Sequence, residues 1–556
     1  MLRSVLFLLF ISFFSSLYSQ SKEIDEVLSY LHINKEAKIL IKQSEIKDIN
    51  LLANTIGLDY PKGEYWLGYV NEKEYTEFLK LKIYHKLYVE KTPKVLNMAY
   101  TISQISFWDR YPTYLVYDSL MRKFATDYPN LCSLDTIGYS INDKLLLCLR
   151  ISTNPNMDLD KPKFFYSSTI HGDEITGAVL LLRLADWLLS NYNTDQRAND
   201  IINNTQVFIN PIANPDGMYR PNDISVSGAT RYNANYIDLN RNFPGIKNNP
   251  HPDNNSYQRE TLAFIDYATR NNFSVSANLH GGAEVLNYPW DSYKSSTKTH
   301  ADNNWFIDEC KRFIDSFPII RPYSFFKDVS YSGYTNGGDW YVIDGGRQDY
   351  HNYFKGVREL TMEVSSEKSL SSNSLNDYWN YLNNSLIGYI ETCQRGIEGY
   401  VYDSTTNSPI QAIIKIENHD DNTSVVVSKT NGYYYRPIKS GNYKITYSSQ
   451  GYASKSFDIS IAQDSMISHN VFLTFTGVGL ESDKQSPPFR IYPNPVRDNL
   501  VIESDIDSKY IIYSISGSIM KKGKINRGEN NILISEFSKG VYIIETSNYR
   551  EKIIKN

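Results

Sequence analysis

The segment HGDE, His171 to Glu174, sets a histidine and a glutamate three residues apart between the apolar runs KFFYSSTI and GAVLLLRLADWLLSNY. That spacing suits two ligands reaching one ion across a tight turn, and it suits a capped strand-to-helix turn equally well. A chain with 9 histidines produces such a pair readily by chance, so other residues must decide. A third ligand is at hand in His280, which closes FSVSANLH, far enough along the chain for a βαβ crossover. Two imidazoles and one carboxylate can hold a catalytic zinc: neutral imidazole donates well, and a single carboxylate leaves Lewis acidity in the ion.

Other polar residues point the same way. The stretch RYNANYIDLNRNFPG carries Arg231, Asn240 and Arg241. A buried loop with two arginines is costly unless it faces anions, and guanidinium pairs bidentately with carboxylate. Tyr341 lies in the Gly-rich TNGGDWYVIDGGRQDY, and Glu363 lies in the apolar run RELTMEVS, where a carboxyl without a partner is expensive. Singly, each has a plain structural explanation: a loop surface for Arg231, core packing for Tyr341, an edge-strand charge for Glu363. Together they ask for too many coincidences.

The elements that must position these groups are legible as a pattern. From about residue 107 to 393, SLDTIGYS, LLLCLRIS, KFFYSSTI, TQVFINPIA, FSVSANLH and RELTMEVS read as strands. Helical runs such as QRETLAFIDYATRN lie between several of them. This predicts an α/β fold, a mixed or mostly parallel sheet flanked by helices. Functional residues of such sheets gather at the carboxyl ends of strands, where His171, His280 and Glu363 would fall.

At 556 residues the chain exceeds one hydrophobic core, and 41% hydrophobic with 21% charged residues is an ordinary globular composition. A net charge of −5 argues against nucleic acid as the main partner. Residues 1–20 read as a secretory signal peptide, with one basic residue and an apolar run, Val5 to Phe14, too short to span a bilayer. No other run is long enough, so no transmembrane segment is expected in the mature chain. Cys132 and Cys148 flank an expected hairpin in positions that do not face each other, so with Cys310 and Cys393 they are read as free and buried.

Residues 21–106 read as an α+β extension, either an accessory domain or a folding or inhibitory pro-segment. Within it SEIKDINLLANTIG is expected to be a helix capped by Ser44, followed by the strand EYWLGYV and the helix EKEYTEFLKLKIY. Residues 396–474 carry short strands and an Asn431-Gly432 hairpin signal, predicting a small β-sandwich. A polar linker, 475–489, contains Pro487 and Pro488, and 490–556 form a further short-strand domain.

The segments HGDE, NPDG, RYNANYIDLNRNF, SANLHGGAEVLNYPWD, NGGDWYVIDGGRQDY and ELTMEVS, in that order, resemble the zinc metallocarboxypeptidases of the funnelin type. The resemblance is greatest to the regulatory branch that includes carboxypeptidases N, E, M and D, and it spans about 107–393. It implies the carboxypeptidase fold and one Zn2+ held by His171, Glu174 and His280. Glu363 would activate the zinc water and pass a proton to the leaving amine, and Arg231 would polarise the scissile carbonyl. Asn240, Arg241 and Tyr341 would hold the terminal carboxylate of a peptide or protein. Asp291 and Gln348 match acidic and polar pocket residues, implying release of C-terminal Arg or Lys. Asp173 departs from the pattern, where the regulatory relatives usually have Asn and the digestive ones Arg; the resemblance then implies a weaker grip on extended peptides.

Residues 396–474 resemble the transthyretin-like sandwich that follows the catalytic domain in that branch. Residues 490–556 resemble type IX secretion sorting domains of Bacteroidetes, implying the type IX machinery as a partner and a secreted or surface-attached product. Two other readings fit the same sequence: a cell-wall peptidase acting on peptides that end in diaminopimelate, and an inactive surface-binding relative. The filled catalytic positions argue against the second.

Overall fold

The computed structural model describes residues 20–59, 61, 63–90, 94, 96–220, 222–247, 249–476, 489–504, 506–514, 518–546 and 549–556. The expected signal peptide, apart from Gln20, and residues 477–488 of the expected linker, Pro487 and Pro488 included, lie outside them. Among the described residues no helix is long and apolar enough to cross a membrane. The chain divides into two compact units: one runs to Ser449 and resumes at Ser454–Thr474, and the other holds Gln450–Ala453 and Phe475–Asn556.

The first unit begins with a helix over residues 20–34, followed by a four-stranded sheet of order β2-β3-β1-β4, from β1 (Glu36–Lys42), β2 (Gly57–Leu58), β3 (Tyr65–Asn71) and β4 (His85–Tyr88). Helices α1 (Ile49–Ala53) and α2 (Glu72–Lys80) accompany it. The expected Ser44 cap is not the one used. Ser44 lies in a short 3-10 turn directly after β1, whereas Asp48 is extended and its carboxylate accepts from the Asn50 and Leu51 N–H groups at 2.9 and 3.1 Å. A carboxylate that satisfies two orphan donors starts the helix four residues later than expected. EYWLGYV is a strand and EKEYTEFLK a helix, as read, with a capping box between Asn71 and Glu74.

The centre is an eight-stranded mixed sheet, β11-β10-β12-β9-β7-β8-β6-β5. Its strands are β5 (Cys132–Tyr139), β6 (Leu145–Ile151), β7 (Lys163–Ser168), β8 (Gln206–Asn210), β9 (Val275–His280), β10 (Ala283–Tyr288), β11 (Tyr334–Asn336) and β12 (Arg358–Ser365). Helices α3 (Tyr114–Asp127), α4 (Thr176–Ser190), α5 (Arg259–Asn271), α6 (Asn303–Asp315) and α7 (Leu375–Ile390) flank it.

Period-2 alternation separates two cores. Leu147, Leu149, Phe164, Tyr166, Val207 and Ile209 pack with α3, α4 and α7. Leu146, Cys148, Phe165 and Phe208 pack with α5 through Phe264 and Tyr267. Each fully buried large apolar side chain contributes about 1.5–3 kcal/mol, so both faces hold the sheet rigidly. The fold class is therefore the one expected, a mixed sheet between helices. All four cysteines are free and buried, and Cys132 and Cys148 lie opposite Ile151 and Asp135 in the β5–β6 hairpin.

After α7 come β13 (Gly396–Asp403), β14 (Ile413–Ile416), β15 (Val426–Val427), β16 (Tyr433–Arg436), β17 (Gly441–Ser448) and β18 (Lys455–Ile461). The Asn431-Gly432 turn forms, with Gly432 at a positive φ of 84° and the Lys429 N–H bonded to the Tyr433 carbonyl at 2.7 Å. The strands on either side do not pair with each other along their length: β15 pairs with β14 while β16 pairs with β13. The turn passes the chain from one sheet to the other, because Tyr434 on β16 must face Tyr447 on β17, their hydroxyls 2.8 Å apart in the interior.

The second unit, considered by itself, holds a sheet of Phe489–Tyr492, Asn499–Ser504 and Gly528–Leu533. A further sheet contains Ser508–Ser514, Ile519–Ile525, Gly540–Thr546 and Tyr549–Lys555.

Candidate metal centre and substrate pocket

Strand register brings the chemistry together. In the parallel pair β9–β12, His280 lies directly beside Glu363. On the other side β9 pairs with β7, whose continuation carries HGDE. Thr169, just past β7, takes a left-handed φ of 60°, and its hydroxyl donates to the Glu174 carbonyl at 3.3 Å, folding the turn. Gly172 then passes so close to Gly217 of NPDG that a Cβ would sit 2.4 Å from the Gly217 Cα, so no larger residue fits. Asp173 caps nothing: α4 begins at Thr176, with no side-chain cap bond.

The three expected ligands converge and are buried. Glu174 Oε1 lies 2.9 Å from His171 Nδ1, Glu174 Oε2 lies 2.7 Å from His280 Nδ1, and the two Nδ1 atoms are 3.2 Å apart. Two imidazole nitrogens at that separation repel unless a proton or a cation lies between them. The spacing is close to the edge, roughly 3.3 Å, of a tetrahedron around an ion with ~2.0–2.1 Å bonds to nitrogen. The residues present therefore fit zinc. Burial pushes His280 down to about 4, so its imidazole is neutral near pH 7 and ready to donate. Burial alone would raise Glu174, but His171, Lys368 and His280 outweigh it and hold the carboxylate well below its usual range.

Two residues that sequence reasoning did not single out complete the centre. Asp238 sits behind His171, its Oδ1 3.1 Å from Nε2, orienting the ring as carboxylates behind metal-binding histidines do. It also holds Arg231, at 2.9 Å from Nε and 2.7 Å from a terminal nitrogen. Lys368 is a buried cation 2.6 Å from Glu174 Oε1, 3.6 Å from Asp173 and 3.7 Å from Asp59. Asp238 stands inside the quoted YIDLNRNF. For Lys368 the available signal was charge: Asp173, Glu174 and Glu363 together call for a cation that Arg231 alone cannot balance.

The remaining expected residues are placed as follows. Arg231 points at the centre, 3.8 Å from Glu174 Oε1. Asn240, Arg241, Asp291, Tyr341 and Glu363 line one cavity with the three ligands. Arg241 has no carboxylate partner among the described residues; its one hydrogen bond runs to the Asn240 carbonyl at 3.0 Å. Gln348 stands behind the wall and donates to Asp291 Oδ1 at 3.0 Å. Burial and the adjacent Asp349 push the Asp291 carboxyl well above its usual range. Glu363 is likewise raised by burial and by Glu174, and its buried Oε2 has no hydrogen-bond partner. A second acid–histidine group, Asp302, His419 and Asp420, is already filled by the Arg436 guanidinium, 2.8 Å from Asp302 and 2.5 Å from Asp420.

The N-terminal sheet closes over this cavity. Leu58 and Asp59 form part of its wall, beside the three expected ligands and Tyr341. Tyr341 donates to the Leu58 carbonyl at 3.3 Å, and Ile343 is buried in the core of the extension 21–106 (the N-terminal unit). Asn50 accepts from Val342 N–H at 2.8 Å, and Asn54 donates to the Val342 carbonyl at 2.7 Å.

Residues 117–385 match the family model of the zinc carboxypeptidases, and 490–556 match that of a secretion system C-terminal sorting domain. The chain is 33% identical to carboxypeptidase SOL1 of Arabidopsis thaliana, covering 65% of this chain and 73% of that protein. It is 31% identical to the carboxypeptidase N catalytic chain of Mus musculus, covering 62% and 82%. It is also 31% identical to carboxypeptidase D of Mus musculus, covering 64% of this chain and 26% of that much longer protein.

Proposed function

The chain belongs to the zinc carboxypeptidase family, and from that premise we propose that it is an exported metallocarboxypeptidase releasing C-terminal Arg or Lys. The observation that carries this is one cavity in which Arg241 and the buried Asp291, neither in an ion pair among the described residues, flank the metal set. Arg241, with Asn240 and Tyr341, takes the terminal carboxylate, which only a chain end can offer. Asp291, destabilised by burial beside Asp349, is relieved by a guest ammonium or guanidinium, and Gln348 fixes its orientation.

Zinc bound by His171, Glu174 and His280 would supply Lewis acidity and an acidified water. Glu363 takes a proton from the attacking water and returns it to the leaving amine, a task suited to a carboxyl raised above its usual range. Arg231, anchored by Asp238, donates to the carbonyl oxygen as negative charge develops there. The sorting tail marks the chain for export, and its recognition by type IX machinery is part of the same reading.

The N-terminal unit is read as an inhibitory pro-segment. Support comes from Leu58 and Asp59, which line the same cavity as the three expected ligands, and from Tyr341, whose hydroxyl is engaged by Leu58. Residues 396–474 are read as the transthyretin-like companion domain. The test is a panel of peptides ending in Arg, Lys, Phe, diaminopimelate or a C-terminal amide. Release of Arg and Lys with no hydrolysis of the amide supports the reading. Equal turnover of the amide removes the role given to Arg241, and turnover of diaminopimelate peptides alone replaces the substrate class.

A further inference from the structure

The segment between α6 and β11 stands out from the protein. Its ends are fastened: Phe317, Phe325 and Phe326 are buried in the main core, with ring centroids 5.0 to 5.1 Å apart. Phe326 N–H donates to Glu284 at 3.0 Å, and Asp328 accepts from Glu284 N–H at 3.1 Å. Between these anchors, residues 318–324 arch outward. Ile319 is 97% exposed and Ile320 85%, and Ile319 is the most exposed large apolar side chain among the described residues.

The same segment carries Tyr323 and Tyr331, 77% and 78% exposed, with hydroxyls 3.0 Å apart. The Lys327 ammonium lies 3.6 Å from the Tyr323 ring centroid and 4.8 Å from that of Tyr331, and the Arg321 guanidinium rests over Phe317. Among the described residues neither cation is in an ion pair.

The arch is preformed. Arg321 N–H donates to the Ile319 carbonyl, Phe325 N–H to Pro322 and Lys327 N–H to Ser324, at 3.0 to 3.1 Å, and Pro318 and Pro322 restrict the backbone. Little ordering is therefore required when it binds something. Exposed aliphatic side chains, exposed tyrosines and cations outside any ion pair in one segment are the three side-chain classes that meet acyl boundary, headgroups and phosphates at an anionic bilayer surface. The outermost side chains are aliphatic and project outward, whereas the anchors of protein interfaces fill concave, well-packed pockets.

We propose that this arch is a membrane-docking element for a bilayer surface bearing anionic headgroups. Ile319 and Ile320 enter the acyl boundary, Tyr323 and Tyr331 lie among the headgroups, and Arg321 and Lys327 meet phosphates. With two aliphatic side chains the attachment is weak and reversible. It is tied to the active-site sheet through Glu284, on the strand that begins just past His280.

The test is flotation of the full chain with phosphatidylcholine vesicles, with and without about one third phosphatidylglycerol. Binding is expected on the anionic vesicles, falling by roughly tenfold or more in the Ile319→Ser/Ile320→Ser double variant. The Arg321→Gln/Lys327→Gln variant should lose the preference for anionic vesicles and most of the salt dependence. Because the four native cysteines are buried, Ile319→Cys labelled with an environment-sensitive dye gives an independent readout, expected to shift blue only with anionic vesicles. Failure of the full chain to float, or equal binding by the isoleucine variant, overturns the proposal. So does a dye shift that follows protein concentration without lipid, which would assign the arch to contact between two copies.

Discussion

The Tyr341 hydroxyl, one of the groups proposed to hold a substrate carboxylate, is bonded to the Leu58 backbone carbonyl at 3.3 Å. A residue of the candidate pocket and a residue of the N-terminal sheet thus share one hydrogen bond, and both line the same cavity. In the proposed reading this contact obstructs entry of a peptide terminus. A protease recognition sequence inserted after Glu90 in the full chain should therefore raise turnover by at least about tenfold on cleavage, a population shift of more than ~1.4 kcal/mol. The stripping of zinc by a chelator should accelerate in parallel, a readout that needs no substrate. Equal turnover and equal stripping before and after cleavage would contradict the inhibitory role.

The grip of the N-terminal unit should weaken in alkali. Glu74 hydrogen-bonds the Tyr232 hydroxyl, and burial pushes its carboxyl up to about 8; burial also raises Glu36 and Asp59. A carboxyl raised in the folded state binds its proton more tightly there than in the unfolded chain. Its contribution is full below the unfolded value and is lost as the pH passes through the folded one. Limited proteolysis of the N-terminal unit should accelerate as pH rises through about 8, and Glu74→Gln should flatten that dependence. A rate that falls with pH would reverse the sign.

Specificity should reside in Asp291. Replacing it by Ala removes a buried charge-assisted interaction of about 1.5–3 kcal/mol with a basic side chain. After release of the N-terminal unit, kcat/KM for Arg-terminated peptides should fall by roughly 10- to 150-fold, with little loss on Phe-terminated ones. A uniform loss on both would instead point to damage at the metal centre.

The β-sandwich is fastened to the catalytic sheet by a buried charge network. Asp302 lies 2.7 Å from Arg358 and 2.8 Å from Arg436. Asp302→Ala leaves the buried Arg358 without its ion-pair partner and Arg436 with Asp420 alone, at a cost of about 3–5 kcal/mol. The thermal midpoint of the unit should fall accordingly, with Asp302→Asn in between. An unchanged midpoint would mean that the network contributes nothing net.

Much of this architecture was legible because it is local. Short, mostly apolar runs such as LLLCLRIS and KFFYSS marked the strands, and the longer apolar run after HGDE marked α4. Chemistry at strand ends followed from residue types alone. What escaped depends on neighbours distant in sequence. Asp238 and Lys368 act on His171 and Glu174 from 67 and 194 residues away, and nothing in their local sequence announces it. Ser44 and Asp48 are both good cap residues, and the end of β1 decides between them. Asn431-Gly432 turns as its sequence dictates, but the sandwich interior around Tyr434 and Tyr447 determines which sheet receives the next strand. The closure of the pocket by Leu58 and Asp59 is a contact between two independently formed sheets, beyond the reach of any motif.

The central claim is that Glu363 moves the proton at a zinc site built from His171, Glu174 and His280. The most direct measurement pairs zinc content with release of Arg from an Arg-terminated peptide, comparing Glu363→Gln with the parent after cleavage of the N-terminal unit. The account expects one zinc bound in both, turnover lowered by about 10²–10⁴-fold or more in the variant, and chelation abolishing the parent's activity. Turnover that survives either Glu363→Gln or removal of the metal would contradict it.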